Sequence, residues 1–175
     1  MPSTYTFWDL HVAIQDAMGW LDCHLHLFHV VDRKTGQTDL IGIPDEDAFE
    51  DDEPHLPGWH IPITDYFQMV GDRARYEYDF GDDWQHEIVL EAIAPRETGR
   101  RYPVCLDGAR RCPPEDCGGV TGYDRMLKAL ADPSDEEHDS YVEWTGGGYD
   151  PGKFDPKAVR FDSPTKRWRQ AFGEE

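Results

Sequence analysis

The sequence predicts a single α+β domain: a mixed or antiparallel sheet built around a central β-hairpin and flanked by helices. Three observations predict it. Tyr76, Tyr78 and Phe80 alternate with Arg75, Glu77 and Asp79, and a second period-two run follows the turn Gly81-Asp82-Asp83-Trp84. Apolar residues at helical spacing open the chain and recur in its second half. Residues 1–175 contain no internal repeat and no linker long enough to divide the chain into separate domains.

The elements follow in order. Thr6 and Asp9 make a capping box for a helix carrying Leu10, Ile14, Ala17 and Met18, which Gly19 ends. A strand is expected over Cys23 to Val31, with Leu25 and Leu27 on one face and His24, His26 and Phe28 on the other. A short strand over Leu40 to Ile43 comes next. The acidic stretch from Pro44 to Gly58 has no face to bury and reads as a mobile loop. Thr64 is placed to cap a short helix through Asp65, Phe67 and Val70, ended by Gly71.

The hairpin strands run over Arg75 to Phe80 and Gln85 to Ile93. Beyond the hairpin, Thr121 with Asp124 and Ser134 with Glu137 read as capping boxes for two helices, the second reaching Trp144 before Gly146-Gly147-Gly148 breaks it. Asp155-Pro156 is expected to restart a short helix, and Ser163-Pro164 to begin the last, with Trp168 and Phe172 one turn apart.

Composition bounds the function. A chain of 175 residues can bury about 70% of its unfolded surface, and 13% aromatic residues offset an apolar content of only 38%. No apolar run approaches the roughly 20 residues of a membrane span and no signal-peptide pattern opens the chain, so a soluble, cytoplasmic protein is expected. Acidic residues outnumber basic ones 36 to 17, a formal charge of −19, which opposes direct contact with nucleic-acid phosphates. The basic aromatic cluster Lys166-Arg167-Trp168-Arg169 is too small to offset that field.

The densest chemistry lies in Cys112-Pro113-Pro114-Glu115-Asp116-Cys117-Gly118-Gly119, with Cys105 upstream. Proline fixes φ and glycine relaxes it, so the segment is held in shape while thiols and carboxylates converge. Cys105, Cys112 and Cys117 follow C-x6-C-x4-C, which is not the C-x2-C pair of a zinc knuckle. A structural zinc there needs a fourth ligand: His86 is the first candidate and Cys23-His24 the second. Plain buried thiols are the preferred reading, ahead of zinc and of a Cys112–Cys117 disulfide.

Asp79, Asp82, Asp83, Trp84, His86, Glu115 and Asp116 are expected to line a polar cleft where the hairpin turn meets the cysteine loop. Carboxylates beside an imidazole suit a hard cation or acid–base hydrolysis, whereas turn chemistry and helix capping explain the same acids without either. Gly118-Gly119 ahead of a helix suits an anion, but Glu115 and Asp116 repel phosphate and no P-loop lysine follows.

Three stretches together resemble the plasmid pRiA4b ORF-3-like family: Phe7 to Phe28 (FWDLHVAIQDAMGWLDCHLHLF), Tyr76 to Glu91 (YEYDFGDDWQHEIVLE) and Cys112 to Tyr123 (CPPEDCGGVTGY). Glu143 to Pro156 is similar to that family's C-terminal segment. The resemblance implies an α+β fold and supplies no catalytic residue. Some members carry resolvase labels or sit beside a DNA-binding domain, which implies a DNA-associated regulator as one reading. Members usually begin with an extra extended segment ahead of the first helix, whereas here Met1-Pro2-Ser3 leads straight into it. That departure leads us to expect an open sheet edge, filled by a second copy or a protein partner. The leading expectation is a binding or accessory protein; the alternatives are a metal-dependent hydrolase using Asp82, Asp83, His86, Glu115 and Asp116, and the DNA-associated regulator.

Overall fold

The computed structural model describes residues 1–44 and 53–173. Helix α1 spans Phe7–Met18. The Thr6 side chain accepts the Asp9 N–H, and the Asp9 carboxylate accepts the Thr6 N–H, so both ends of the expected capping box are present. Gly19 ends the helix at φ 81, a conformation glycine adopts without steric cost.

Strands β1 (His26–Val31), β2 (Thr38–Gly42), β3 (His55–Pro57), β4 (Arg73–Tyr78) and β5 (Trp84–Val89) form one mixed open sheet in the order β3-β2-β1-β4-β5. Antiparallel ladders join β1 to β2, β1 to β4 and β4 to β5, while β2 and β3 run parallel. Register places Phe28 beside Tyr76 and Ile41, and Tyr76 beside His86. The face carrying Phe28, Val30, Tyr76, Tyr78 and Trp84 packs with Phe7, Leu10 and Trp20 as one buried cluster. Large rings fill it: Phe7 meets Phe28 edge-on at 5.1 Å, and Trp20 stacks on Tyr78 at 4.8 Å. Each such side chain contributes on the order of 2 kcal/mol, which is how a chain with few aliphatics folds. The other face is polar, with His29 against Glu77 at 3.2 Å and Arg73 paired with Glu87.

Helices α2 (Gly119–Ala131) and α3 (His138–Trp144) pair through Arg125, which reaches Asp135 at 2.7 Å and Glu137 at 2.6 Å. Helix α4 (Pro164–Phe172), capped by Ser163, lies on α1: the Trp8 and Phe172 ring centroids are 5.6 Å apart, and Arg167 reaches Asp16 at 2.7 Å. No helix among the described residues is long and apolar enough to cross a membrane.

Several local expectations are corrected. Helix α2 starts at Gly119 behind Gly118, with no side-chain cap, so Thr121 and Asp124 lie inside it. Helix α3 has no Ser134 cap either; the Asp132 side chain takes the Ser134 N–H and the Asp135 side chain the Glu137 N–H. Thr64 sits within a three-residue 3-10 turn, Ile63–Asp65, with no side-chain cap at its start. Asp155-Pro156 enters a turn rather than a helix. The acidic stretch lies mainly outside the described residues, but its end, His55–Pro57, is β3, a strand and not a loop. Phe80 is exposed, because Asp79 at φ 56 turns the chain out of the alternation. Strand β1 starts only at His26; Asp22 at φ 59 leaves Cys23 and His24 in the preceding connection, and His24 does not share a strand face with His26.

Candidate functional site

The hairpin tip and the cysteine loop meet, and backbone chemistry joins them. The Asp79 Oδ1 accepts the N–H groups of Gly81 at 3.0 Å and Asp82 at 3.2 Å, which folds the tip back on itself. The Asp82 Oδ2 then accepts the Gly118 N–H at 3.1 Å. A Cβ on Gly119 would stand 2.4 Å from the Asp82 carbonyl oxygen, so only glycine permits this approach. On the loop's other flank the Glu115 Oε1 accepts the Leu21 N–H at 2.7 Å and the Tyr78 hydroxyl at 3.0 Å. The Trp20 indole donates to the Pro113 carbonyl at 3.0 Å.

Between β5 and the loop this leaves a cavity of about 540 Å³. Met18, Trp20, Trp84, His86, Cys112, Pro113 and Val120 line it, with Asp83, Arg110 and Arg111 among the polar lining. The C-terminal half braces its outer wall. The Arg111 guanidinium lies 4.8 Å above the Tyr149 ring, and the Tyr149 hydroxyl stands 3.0 Å from both the Cys112 carbonyl oxygen and the Tyr123 hydroxyl. Burial holds the His86 imidazole below its ordinary pKa, and its Nδ1 is buried without a hydrogen-bond partner. His86 is therefore a neutral ring in an aromatic wall at pH 7.

The expected cleft residues divide between two places. Asp83, Trp84 and His86 line the cavity together with Cys112, and Trp84 also belongs to the core. Asp79, Glu115 and Asp116 gather instead around Cys23 and His24: the ligand atoms of Cys23, His24 and Glu115 lie within 4.8 Å of one another, as do those of His24, Asp79 and Asp116. Asp82 serves as the strut to Gly118. Among the described residues Cys105, Cys112, Cys117 and His86 form no such close group, and the four cysteines are unbonded. Cys112 and Cys117 pack against the core, while the Cys105 Sγ stands 3.5 Å from the Asp107 carbonyl oxygen. Burial, then the Glu115 charge, pushes the Cys112 thiol up to about 12; burial, then the Asp82 charge, pushes Cys117 up to about 11.

Sequence reasoning missed a buried polar chain beneath α1. The Gln15 amide donates to the Tyr76 hydroxyl at 2.9 Å, and that hydroxyl lies 2.9 Å from the His11 Nδ1. The His11 Nε2 lies 2.7 Å from Asp22, whose other oxygen is 3.4 Å from Arg167. A neutral His11 with its proton on Nε2 gives each link a donor and an acceptor, while the Gln15 Oε1 is left buried without a partner. Burial holds His11 below its usual pKa despite Asp22, and burial lowers His26 further, with the neighbouring His11 adding to it. Burial raises Asp22, but its hydrogen bond to His11 and the charges of His11 and Arg167 outweigh that and leave it below the usual range. The legible signal was His11 and Gln15 one turn apart among the apolar residues that α1 buries. Arg110 and Arg111, beside Cys112, were also missed.

A family model described as plasmid pRiA4b ORF-3-like protein matches residues 1–158. The uncharacterized protein y4hQ of Sinorhizobium fredii is 35% identical over 167 residues, covering 95% of this chain and 79% of that protein. The crystal structure of a protein of unknown function, MM3350 from Methanosarcina mazei Go1, superposes with a TM-score of 0.81 at 46% identity, covering 92% of this chain and 86% of that one. The chain belongs to the plasmid pRiA4b ORF-3-like family.

Proposed function

We infer that the protein is a binding or accessory protein whose ligand, or a partner's side chain, enters the cavity between β5 and the cysteine loop. The observation that carries this reading is the composition of that cavity. About 540 Å³ is the size of a small-molecule site, and its walls are Trp20, Trp84 and His86 with Arg110 and Arg111 as its cations. Aromatic walls favour a flat apolar body, and Arg110 with Arg111, two cations against the single Asp83 carboxylate of the lining, favour an acidic substituent on it. A planar aromatic carboxylate has both properties.

The carboxylates speak against a hydrolase built from Asp82, Asp83, His86, Glu115 and Asp116. Asp82 and Glu115 hold backbone N–H groups, and His86 faces the cavity rather than the acids around His24. A DNA-associated role needs a contiguous basic face. In the basic tail, Arg167 is engaged by Asp16, Asp22 and Asp162. A protein partner has a second foothold at the outer edge of β5, with which no strand pairs among the described residues. Sedimentation equilibrium at high micromolar concentration tests whether that partner is a second copy: a monomer excludes it.

The test of the cavity is equilibrium binding of 2-naphthoate, with 2-naphthylmethylamine as the cationic control. The acid binds and the amine does not. Ala109→Trp fills the cavity and abolishes binding, and Arg110→Ser, at an exposed position, weakens it about tenfold. Equal binding of acid and amine, or binding that survives Ala109→Trp, removes the reading.

A further inference from the structure

Apart from the cavity, five metal-ligating side chains lie in two overlapping groups that share His24: Cys23, His24 and Glu115, and His24, Asp79 and Asp116. Cys23 and His24 come from the connection between α1 and β1, Asp79 from the end of β4, and Glu115 and Asp116 from the cysteine loop. We propose that they form a site for a divalent cation of the zinc class, with His24 as the shared ligand of its two halves. This set is distinct from Cys105, Cys112 and Cys117, and it does not depend on what the cavity binds.

The separations suit an ion. The His24 Nε2 lies 2.9 Å from the Asp116 Oδ1 and 3.5 Å from the Asp79 Oδ2. A tetrahedral ion bonded to nitrogen and oxygen at about 2.1 Å holds those atoms about 3.4 Å apart. The pairs His24–Asp116 and His24–Asp79 therefore lie close to the spacing an ion imposes. The His24 Nε2 is itself buried beside both carboxylates yet makes no aligned hydrogen bond to either, and a metal ion would take the place of a proton on it.

The ligands are held from behind. Asp79 fixes Oδ1 on the N–H groups of Gly81 and Asp82, which leaves Oδ2 toward His24. Glu115 is fixed through Oε1, which accepts the Leu21 N–H and the Tyr78 hydroxyl. Outer partners of this kind orient ligands before a metal arrives. The charge balance points the same way: three carboxylates face one imidazole, and a divalent cation offsets the excess. An imidazole and a thiol among the donors select zinc, cobalt or nickel over calcium or magnesium, which take oxygen ligands.

The experiment uses the full chain stripped with chelator and titrated with Co²⁺ alone, then with Zn²⁺ in competition. One equivalent of cobalt binds with visible absorption of tetrahedral intensity, a near-ultraviolet thiolate band disappears in Cys23→Ser, and zinc displaces the cobalt. Asp116 is 71% exposed, so Asp116→Asn leaves the fold intact and weakens cobalt binding at least tenfold. His24→Gln abolishes stoichiometric binding, whereas the Cys112→Ser/Cys117→Ser pair leaves it unchanged. Circular dichroism of each metal-free variant separates loss of binding from loss of fold. Absence of stoichiometric cobalt and zinc binding overturns the proposal. So does binding unchanged in both His24→Gln and Asp116→Asn, or binding lost only with the Cys112 and Cys117 thiols.

Discussion

The imidazoles of His11 and His26 are stacked face to face, with ring centroids 3.5 Å apart and planes 9° from parallel. Two protonated rings cannot remain in that arrangement inside the protein, so the stack holds as a neutral pair. Its surroundings are Tyr76, Gln15, Asp22, Asp16 and Arg167, of which only Asp22 hydrogen-bonds an imidazole through a charge.

This makes stability depend on pH in a defined direction. His11, His26 and His86 all have folded-state values below that of an unfolded histidine, about 6.5. Below that pH the unfolded chain takes up protons that the native state refuses, so stability is complete above about 6.5 and falls as the pH drops. The fall approaches about 1.4 kcal/mol per pH unit for each histidine. Asp22, whose folded value is depressed, adds a second loss only as the pH falls below about 4. Urea midpoints from pH 8 to 5 check this. His26→Phe removes a buried Nδ1 that lacks a partner, and it flattens the slope by about one proton while changing stability little at pH 8. An unaltered slope contradicts the assignment.

Gly119 is the point at which the loop touches the hairpin. Gly119→Ala places a methyl group 2.4 Å from the Asp82 carbonyl oxygen at φ 62, so it costs about 2–3 kcal/mol through strain and clash. Gly147→Ala, at φ 78 with open space around it, costs only about 1 kcal/mol. Denaturant titrations of the two variants compare clash plus strain with strain alone; equal losses count against close docking of the loop.

The thiols order themselves by environment. With Cys112 held up to about 12, roughly one molecule in ten thousand carries its thiolate at pH 8. Mass-spectrometric mapping of a short iodoacetamide pulse should find Cys112 the slowest of the four and exposed Cys23 well ahead of it. Cys112 labelling as fast as Cys23 is the contrary result.

What the sequence made legible follows from which interactions are local. The hairpin, the Thr6 capping box, the Gly19 stop and the Ser163 cap depend on neighbours a few residues apart, and each is found. The meeting of hairpin tip and cysteine loop was also readable, because Gly118-Gly119 and the aspartate turn permit close backbone approach. The caps expected at Thr121 and Ser134 failed because glycine and nearby aspartates took those roles. The division of the cleft was not legible. It depends on Asp22 turning His24 out of the strand, and a positive φ at aspartate leaves no pattern in composition. The same bend sends His26 under α1 against His11, a contact across separate elements that no local periodicity records.

Fluorine NMR of the chain labelled with 5-fluorotryptophan and titrated with 2-naphthoate locates the ligand on the molecule. Of the six tryptophans, only Trp20 and Trp84 line the cavity. Their two resonances should shift in a saturable manner while those of Trp8, Trp59, Trp144 and Trp168 stay in place, and Ala109→Trp should suppress the shifts. Resonances that all move together, or movement confined to Trp59 and Trp168, would contradict a binding site between the hairpin and the cysteine loop.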